Sequence, residues 1–267
     1  MGLTESPAVT VSVVVPVYNE ISTVRTALDA LAAKRIDGYD LQLIIVESNS
    51  TDGSREVVLS YGTLPAVRIL LEETPRGKGH AVRAGLAVAA GEIVIIQDAD
   101  LEYDPSDYHT LLGPLIQGKA DVVYGSRFLG AAPHRVLYFW HSVGNRLLTL
   151  LSNCLTNINL TDMETCYKAF RRDVIQSIPI EEDRFGFEPE ITVKVAKRRL
   201  RIYEVGISYW GRTYEEGKKI SWLDGLRAAW CLLKYSFTES SGRTPYGTPA
   251  HEPVSQSPQN QASNVGR

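Results

Sequence analysis

The amino-acid sequence predicts an α/β fold built on a doubly wound, mainly parallel β-sheet with helices on both faces. Three observations support this prediction. Short runs rich in valine and isoleucine recur in the first half of the chain and are apolar almost throughout, which is typical of strands covered on both faces. Segments with helical spacing of apolar residues separate these runs. The runs end in polar or acidic residues, at the sheet edge where α/β proteins bind ligands.

The predicted elements alternate along the chain. We expect strands at residues 9–18, 41–47, 66–71, 92–98, 120–128 and 200–209. We expect helices at residues 21–34, 54–61, 79–91, 136–158, 188–199 and 222–237. Gly91 is expected to cap the third helix at its C-terminus, and the last helix is amphipathic because Trp222, Leu226 and Trp230 recur at helical spacing. The sequence therefore predicts one domain over residues 9–237, preceded by an arm at 1–8 and followed by a disordered tail at 238–267 that is rich in Ser, Pro, Gln and Asn.

The composition limits the classes of protein to which the chain can belong. The chain has 267 residues and a formal net charge of −3, which argues against a nucleic-acid binder. Its three cysteines, Cys154, Cys166 and Cys231, lack metal-binding spacing, so we expect reduced, buried thiols in a reducing compartment. We expect no signal peptide, because the start "MGLTESPAVT" lacks a charged region followed by an apolar one. We expect no transmembrane helix, because no stretch approaches 18 consecutive apolar residues.

The segment "IVIIQDADLEYDP" places three acidic side chains, Asp98, Asp100 and Glu102, at the exit of a predicted buried strand. Like charges so close together repel one another unless a cation lies among them. Carboxylate oxygens suit Mg²⁺ or Mn²⁺, which share their coordination with substrate phosphates. A solvated turn would explain a bare Asp-Ala-Asp sequence equally simply, but the position at the ligand-binding edge favours a metal.

Five motifs, in order, carry a resemblance to a known family: "VSVVVPVYNE", "VESNSTDGS", "RGKGHAVRAGL", "IIQDADLEYDP" and "VYGSRF". The chain resembles family 2 glycosyltransferases of the GT-A fold over about residues 11–237, and within them the dolichol-phosphate mannosyltransferase-like branch. The later segments "TDMETCYKAFRR", "FGFEPEI" and "RTYEEGKK" resemble bacterial members of that branch. The resemblance implies transfer of a hexose from a nucleotide diphosphate sugar to a polyprenyl or dolichyl phosphate, with residues 9–128 binding the donor and 129–237 the acceptor.

The resemblance also implies roles for individual residues. The nucleotide would contact Pro16, Tyr18, Glu20, Glu47, Lys78 and Asp98. The metal would be held by Asp98, Asp100 and Glu102, and catalysis would depend on Asp100, Arg127 and Arg212. The acceptor would contact Asp162, Glu164 and Lys218. Glu47 and Ser48 replace the two aspartates usual in the second loop, so the choice between GDP and UDP stays open.

Ordinary structural roles compete with several of these assignments. Glu20 would also favour a helix dipole, the glycines around Lys78 would form a plain turn, and Asp162 would cap a helix. Glu188 and Glu190 stand at a helix start, where acidic residues are stabilising in any case. Arginine remains the residue suited to gripping a phosphate bidentately, which favours Arg127 and Arg212.

The implied mechanism is inversion by in-line attack without a covalent intermediate. The acceptor phosphate is already anionic and needs no strong base, while the metal and Arg127 or Arg212 would stabilise the leaving diphosphate. A lipid acceptor implies a peripheral location at the cytoplasmic face of a membrane, through the helix at 222–237 and the basic run at 197–201, with a membrane protein as a further partner. Packing of that helix onto the sheet, with solvated charges, explains the same pattern.

Three alternatives remain at this point. In the first alternative, the fold is the same and the acceptor is a soluble sugar or another small molecule. In the second, the protein would be a sugar-1-phosphate nucleotidyltransferase, although such enzymes carry a Gly-rich loop with arginine where this chain has "PVYNEIS". In the third, the protein would bind a nucleotide sugar without catalysing transfer.

Overall fold

A computed structural model of the chain describes residues 9–36, 38–130, 135–136, 138–217 and 222–238. The expected arm at 1–8, the expected tail beyond residue 238, and Lys218 lie outside these residues.

A seven-stranded sheet forms the centre of the described structure, with strand order β3-β2-β1-β4-β6-β5-β7. Its strands are β1 (Val9–Val17), β2 (Tyr39–Glu47), β3 (Val67–Leu71), β4 (Ile93–Ile96), β5 (Val122–Ser126), β6 (Lys168–Arg171) and β7 (Ile202–Gly206). Strand β6 runs antiparallel to both β4 and β5, whereas the other neighbouring pairs are parallel. The prediction of a doubly wound, mainly parallel sheet is therefore confirmed.

Eight α-helices surround this sheet in the described part of the chain. They are α1 (Val24–Ala33), α2 (Ser54–Leu59), α3 (Lys78–Val88), α4 (Tyr108–Ile116), α5 (Phe139–Thr156), α6 (Arg172–Gln176), α7 (Phe187–Lys197) and α8 (Trp222–Phe237). Helix α3 packs on β1 and β2, and α4 packs on β5 and β6. Helices α5, α7 and α8 pack on one another beyond the sheet, which confirms the C-terminal amphipathic helix. None of the helices in the described ranges is both long and apolar enough to span a bilayer.

The core consists of the central strands and the helix faces that cover them. Val13, Val14, Ile44 and Ile95 have no exposed surface. A smaller cluster under α8 contains Met163, Val193, Cys231, Leu232 and Tyr235. All three cysteines are free thiols, but Cys154 is exposed on α5, so the expectation of burial is wrong for that residue.

Gly91 does not cap a helix, contrary to the sequence prediction. Helix α3 ends at Val88, and Ala89 is its C-cap in an extended conformation. Gly91 instead lies against β1, where its N–H donates to Ser12 Oγ at 2.9 Å. A Cβ atom at this position would lie 2.6 Å from the carbonyl oxygen of Thr10, so glycine is required here for close backbone approach.

Strand β6 and helix α4 were not predicted. Two of the four β6 residues, Lys168 and Arg171, are charged, and both are buried. Lys168 Nζ donates to the carbonyls of Met163 and Thr165, which satisfies the ammonium inside the protein. A pattern of apolar residues cannot reveal a strand whose buried side chains are cationic.

Replacing Gly85 tests how closely α3 packs on the sheet. In Gly85→Ala the new Cβ would lie 2.4 Å from Val14 Cγ1, so β1 or α3 must shift. We expect the free energy of unfolding to fall by about 1–3 kcal/mol, measured by denaturant titration. Gly144→Ala in α5 is the control, because nothing described lies within 4 Å of its Cβ, and it should gain about 0.5–1 kcal/mol. Equal stability of Gly85→Ala and the unmodified chain would contradict the close packing.

Candidate active site

The carboxyl ends of β1, β2 and β4 meet at one edge of the sheet, because these strands are parallel neighbours. The loops after β1 and β2 are joined there by side chains. Asn19 N donates to Ser50 Oγ at 3.0 Å, and Glu20 N donates to Ser54 Oγ at 2.9 Å. Pro16 lies in β1 opposite Val46, and Tyr18 is 41% exposed just beyond that strand. The predicted nucleotide residues of the first loop therefore lie at the expected edge.

Glu47 is fully buried at the end of β2 and holds its own loop together. Its carboxylate accepts from the backbone N–H of Asn49 at 3.2 Å and of Ser50 at 2.6 Å. Arg55 Nη1 lies 3.2 Å from the same carboxylate. The glutamate that replaces the usual aspartate thus shapes the loop, whereas Asp52 accepts from Ser54 N at the start of α2.

Arg212 brings together the carboxylates of two distant segments. Its Nη1 lies 2.9 Å from Glu20 Oε2, and its Nη2 lies 3.1 Å from Asp100 Oδ2. Its Nε is 3.6 Å from Glu102 Oε1. All four side chains are largely buried, with 11–13% of each exposed. The sequence reasoning named all four residues, and the structure places them in one cluster.

Glu102 also holds the loop that carries Arg212. Glu102 Oε2 accepts from the Tyr209 hydroxyl at 2.9 Å, and Glu102 Oε1 accepts from the backbone N–H of Arg212 at 2.9 Å. The backbone N–H of Trp210 donates to the Glu102 carbonyl. Glu102 therefore contacts the loop at 209–217 through its side chain and its backbone, a role that the sequence did not indicate.

The surroundings of Asp100 contain an excess of negative charge. Burial, followed by repulsion from Asp98 and Glu102, raises the pKa of Asp100 to about 7, although Arg212 opposes the shift. Added positive charge at this position would be favourable.

Lys78 lies in the first turn of α3 and bridges two carboxylates. Its Nζ is 2.9 Å from Asp98 Oδ2 and 3.0 Å from Glu188 Oε1. Burial alone would lower the pKa of Lys78, but Asp98 and Glu188 raise it well above its ordinary value. Glu188, in the first turn of α7, was read from sequence only as a helix-start acid, so its place in the site was missed. The segment "FGFEPEI", which contributed to the resemblance, was the available signal.

Arg127 and Asp162 form a buried bidentate pair. Arg127 Nε and Nη2 each lie 2.7 Å from an oxygen of Asp162, and the Arg127 backbone N–H donates to the same carboxylate at 3.0 Å. Asp162 has no exposed surface. The Arg127 guanidinium also stacks on Tyr209, 5.1 Å from the ring centre. Asp162 therefore fixes the orientation of Arg127, and Arg127 adjoins the tyrosine that contacts Glu102.

Glu164, predicted to contact the acceptor, lies beside Glu188 instead of in the Arg212 cluster. Burial, followed by the charge of Glu188, raises the pKa of Glu164 to about 8, against the opposing effect of Lys168. Lys218 lies outside the described residues. The described residues thus form two neighbouring groups, one around Arg212 and one around Lys78.

The residues at the strand end fit a divalent cation that also binds phosphate. Asp98 and Asp100 are hard oxygen ligands, and the negative charges of Asp98 and Glu102 add to burial in raising the pKa of Asp100. Within the described ranges, no three acidic, histidine or cysteine side chains are arranged to hold a metal alone. Mg²⁺ and Mn²⁺ need no such cage, because Mg²⁺ typically takes one or two carboxylates together with waters and substrate phosphates.

Comparison with known proteins agrees with this arrangement. The family model described as glycosyl transferase family 2 matches residues 12–178. The chain is 29% identical over 203 residues to glycosyltransferase AglJ of Haloferax volcanii, covering 76% of this chain and 63% of that protein. It is 28% identical to the undecaprenyl-phosphate 4-deoxy-4-formamido-L-arabinose transferase of Aeromonas hydrophila, covering 73% of this chain and 59% of that protein. The chain thus spans about six-tenths of the length of these two relatives.

Solved structures share the fold at low sequence identity. Glucosyl-3-phosphoglycerate synthase of Mycobacterium tuberculosis, solved with Mn²⁺, UDP and its product, superposes with a TM-score of 0.66 at 23% identity, covering 88% of this chain and 82% of that one. Mannosyl-3-phosphoglycerate synthase of Rubrobacter xylanophilus also gives a TM-score of 0.66, at 21% identity, covering 85% of this chain and 72% of that one. The family match, the sequence relatives and the shared architecture lead to one conclusion: the chain belongs to glycosyltransferase family 2 and has the GT-A fold.

Proposed function

We propose that the protein transfers a hexose from a nucleotide diphosphate sugar to a polyprenyl phosphate, with inversion and with the help of Mg²⁺ or Mn²⁺. The observation that carries the proposal is the group of carboxylates, Asp100, Glu102 and Glu20, gathered around Arg212 at the carboxyl edge of the sheet. This charge distribution suits a metal-bound diphosphate, in which cation and phosphates alternate.

Asp98 and Asp100 would hold the metal, with Glu102 beside them. The bound metal would supply positive charge to the diphosphate leaving group. The GT-A structure solved with Mn²⁺ and UDP supports such a donor complex. Tyr18, at the exposed rim, offers a ring for the base, and Glu20 offers an acceptor for ribose hydroxyls. Glu47 would act on the nucleotide through the loop that its carboxylate shapes.

Two arginines would stabilise the charge that develops during transfer. Arg212 already binds Asp100 and Glu20, so a diphosphate entering the cluster would meet its guanidinium directly. Arg127 is held by Asp162 in a fixed orientation, which minimises reorganisation during the reaction. The acceptor phosphate attacks as an anion, so no side chain is needed to remove a proton.

Two candidate functions differ in the acceptor, which is a lipid phosphate in one and a soluble compound in the other. The name of the Aeromonas hydrophila relative states an undecaprenyl-phosphate substrate. The solved Mycobacterium tuberculosis neighbour was instead captured with phosphoglyceric acid, a soluble compound. Because that neighbour shares only 23% identity, it supports the fold more strongly than the acceptor.

An exposed apolar face favours the lipid acceptor. It comprises Phe139, Trp140, Leu147 and Leu150 on α5 and Trp222, Leu223, Leu226, Trp230, Leu233 and Phe237 on α8. Trp140 is 77% exposed and Trp222 is 75% exposed. Aromatic side chains of this kind are typical of helices that lie in the membrane interface. We call these residues the α5–α8 face.

The basic run at 197–201 contributes less to this argument than its sequence suggests. Arg201 pairs with Asp121 at 2.6 Å, and Lys197 Nζ donates to the carbonyl of Tyr235 at 2.6 Å. These two charges therefore stabilise the fold, and the membrane proposal rests on the α5–α8 face.

The loop at 209–217 links that face to the candidate site. Tyr214 in this loop donates or accepts a hydrogen bond with His141 of α5 at 2.8 Å, and its ring lies 5.6 Å from that of Tyr138. The same loop carries Arg212. A lipid phosphate arriving along α5 would therefore reach Arg212 without crossing the sheet.

Calorimetry with nucleotide sugars tests the donor and the metal. We expect UDP-glucose or GDP-mannose to bind with Mn²⁺ present, and Asp100→Asn to weaken that binding by at least about tenfold, because even outer-shell changes cost about 10–100-fold. Asp104→Asn is the control, because the Asp104 carboxylate accepts a hydrogen bond from Ser106 N in the following turn. Donor binding of equal strength without metal would contradict the metal assignment, and no binding of either donor would contradict the proposed function.

Glu102→Ala tests whether this residue holds the Arg212 loop. Loss of the bonds from Tyr209 and from Arg212 N should accelerate amide hydrogen exchange across residues 209–217 by about tenfold or more, since each bond contributes about 1 kcal/mol or more. Mass spectrometry after timed labelling would measure the rates. Glu215→Ala, an exposed change within the same loop, should leave them unaltered. An unchanged exchange rate in Glu102→Ala would show that the carboxylate does not stabilise the loop.

Vesicle sedimentation tests the α5–α8 face. The protein should sediment with phosphatidylcholine vesicles containing phosphatidylglycerol, and the double change Trp222→Ser with Trp230→Ser should reduce binding by about tenfold or more, as expected from two lost aromatic insertions. Leu59→Ser with Leu64→Ser, two exposed apolar residues elsewhere, should bind like the unmodified chain. If the protein does not bind vesicles at all, the soluble acceptor becomes the better candidate.

A further inference from the structure

We propose that Glu188, together with Glu164, forms the subsite that binds the hydroxyl groups of the donor sugar. This inference rests on the proposed function, since it assigns the part of the donor beyond the diphosphate. It concerns residues of α7 and of the segment before β6.

Close backbone contact places Glu188 beside the strand end. The N-terminus of α3 lies against the segment before α7, where a Cβ atom on Gly79 would be 2.2 Å from the Glu182 carbonyl oxygen. Only glycine allows that approach. Lys78, the residue before Gly79, then bridges Asp98 and Glu188 at 2.9 and 3.0 Å. Glu188 is thus one lysine side chain away from the carboxylate proposed to hold the donor's metal.

Three buried oxygens in this region have no hydrogen-bond partner within the described structure: Glu188 Oε2, Glu164 Oε1 and Thr165 Oγ1. Glu188 is 4% exposed and Thr165 is fully buried. An unsatisfied buried polar group costs about 1–3 kcal/mol, so three of them in this part of the structure indicate a missing hydrogen-bonding partner. A ligand that donates several hydrogen bonds would supply it.

Glu190 lies on the same helix as Glu188 and, unlike it, has both carboxylate oxygens engaged in contacts within the protein. Its two oxygens accept from the backbone N–H groups of Glu181 and Glu182 at 2.8 Å, and Lys194 Nζ lies 2.6 Å away. These contacts join the helix of Glu190 to the turn before it. Glu188 Oε2 makes no hydrogen bond of this kind within the described residues.

The charges of the region select hydroxyl groups over phosphate or a second metal. Three carboxyl groups, Asp98, Glu164 and Glu188, face two lysines, and Lys168 already donates to the carbonyls of Met163 and Thr165. The charged carboxylates of Asp98 and Glu188 would repel a phosphate, and Lys78 already occupies the position of a cation between them. Because the pKa of Glu164 is raised to about 8, this group also offers a proton at neutral pH. An acceptor beside a donor is the pattern that neighbouring sugar hydroxyls require.

The side chains of Lys78 and Asp98 remain 14% and 20% exposed. The region therefore opens toward solvent at the edge where the diphosphate would lie. A sugar attached to that diphosphate would enter from this side and reach the carboxylates beneath.

Comparison of two dissociation constants tests the inference. Calorimetry with Mn²⁺ would measure binding of a nucleoside diphosphate and of its sugar conjugate, using UDP with UDP-glucose and GDP with GDP-mannose. In Glu188→Gln and in Glu164→Ala we expect binding of the sugar conjugate to weaken by about tenfold relative to the nucleoside diphosphate. Glu188→Gln removes a hydrogen bond to a charged group, and Glu164→Ala removes the whole hydrogen-bonding group. Glu181→Gln, a half-exposed carboxylate on the neighbouring segment, should keep the ratio of the unmodified chain.

Each outcome decides between the possibilities. An unchanged ratio in both variants, or equal weakening of both ligands, would overturn the sugar subsite while leaving the proposed function intact. Failure of the unmodified chain to bind UDP or GDP would refute the proposed function and the subsite together. Should Glu188→Gln unfold because Lys78 loses its partner, Glu164→Ala carries the same comparison, since thermal melting would identify the variant that folds.

Discussion

Repulsion among carboxylates at one edge of the sheet is the constraint on which the candidate site depends. Asp98, Asp100 and Glu102 follow a fully buried strand at alternate positions, and Glu20 approaches from the next loop. Two cations, Arg212 and Lys78, hold this charge within a partly buried region. Burial, followed by repulsion from Asp98 and Glu102, raises the pKa of Asp100 in spite of Arg212. A site in this condition gains free energy from each further cation, which is why a metal-bound diphosphate fits it.

The two cations also explain how distant segments of the chain meet. Arg212 draws the loop after β7 onto the end of β4, and Glu102 secures that loop by its backbone and side chain. Lys78 joins the start of α3 to the start of α7 through Asp98 and Glu188. Antiparallel β6, between β4 and β5, brings the segment carrying Asp162 and Glu164 to the same edge. Electrostatics and topology thus assemble a single site from five parts of the chain.

Sequence patterns predicted the features that depend on local order. Apolar runs gave the parallel strands, and the acidic residues at the end of one of them gave Asp98 and Asp100. The family resemblance supplied Glu20 and Arg212. Features that depend on partners far along the chain escaped prediction. Strand β6 was missed because its charged Lys168 is buried against backbone carbonyls. The role of Glu188 depends on Lys78, which lies 110 positions earlier in the chain. Asp162 could not be paired with Arg127 before the positions of the strands were known. Gly91 was misread because a tight approach to β1 and a helix cap both require glycine.

The loop at 209–217 unites the donor and acceptor halves of the proposed reaction. Glu102 and Asp100 fix it on the donor side, while Tyr214 contacts His141 at the start of α5 on the side of the exposed apolar face. Arg212 lies between these contacts, so its guanidinium responds to changes at either end. A metal-bound diphosphate that took over Asp100 would remove one carboxylate partner from Arg212 and would offer it phosphate oxygens instead. In the proposed reaction Arg212 would thereby link occupation of the donor site to recognition of the acceptor phosphate.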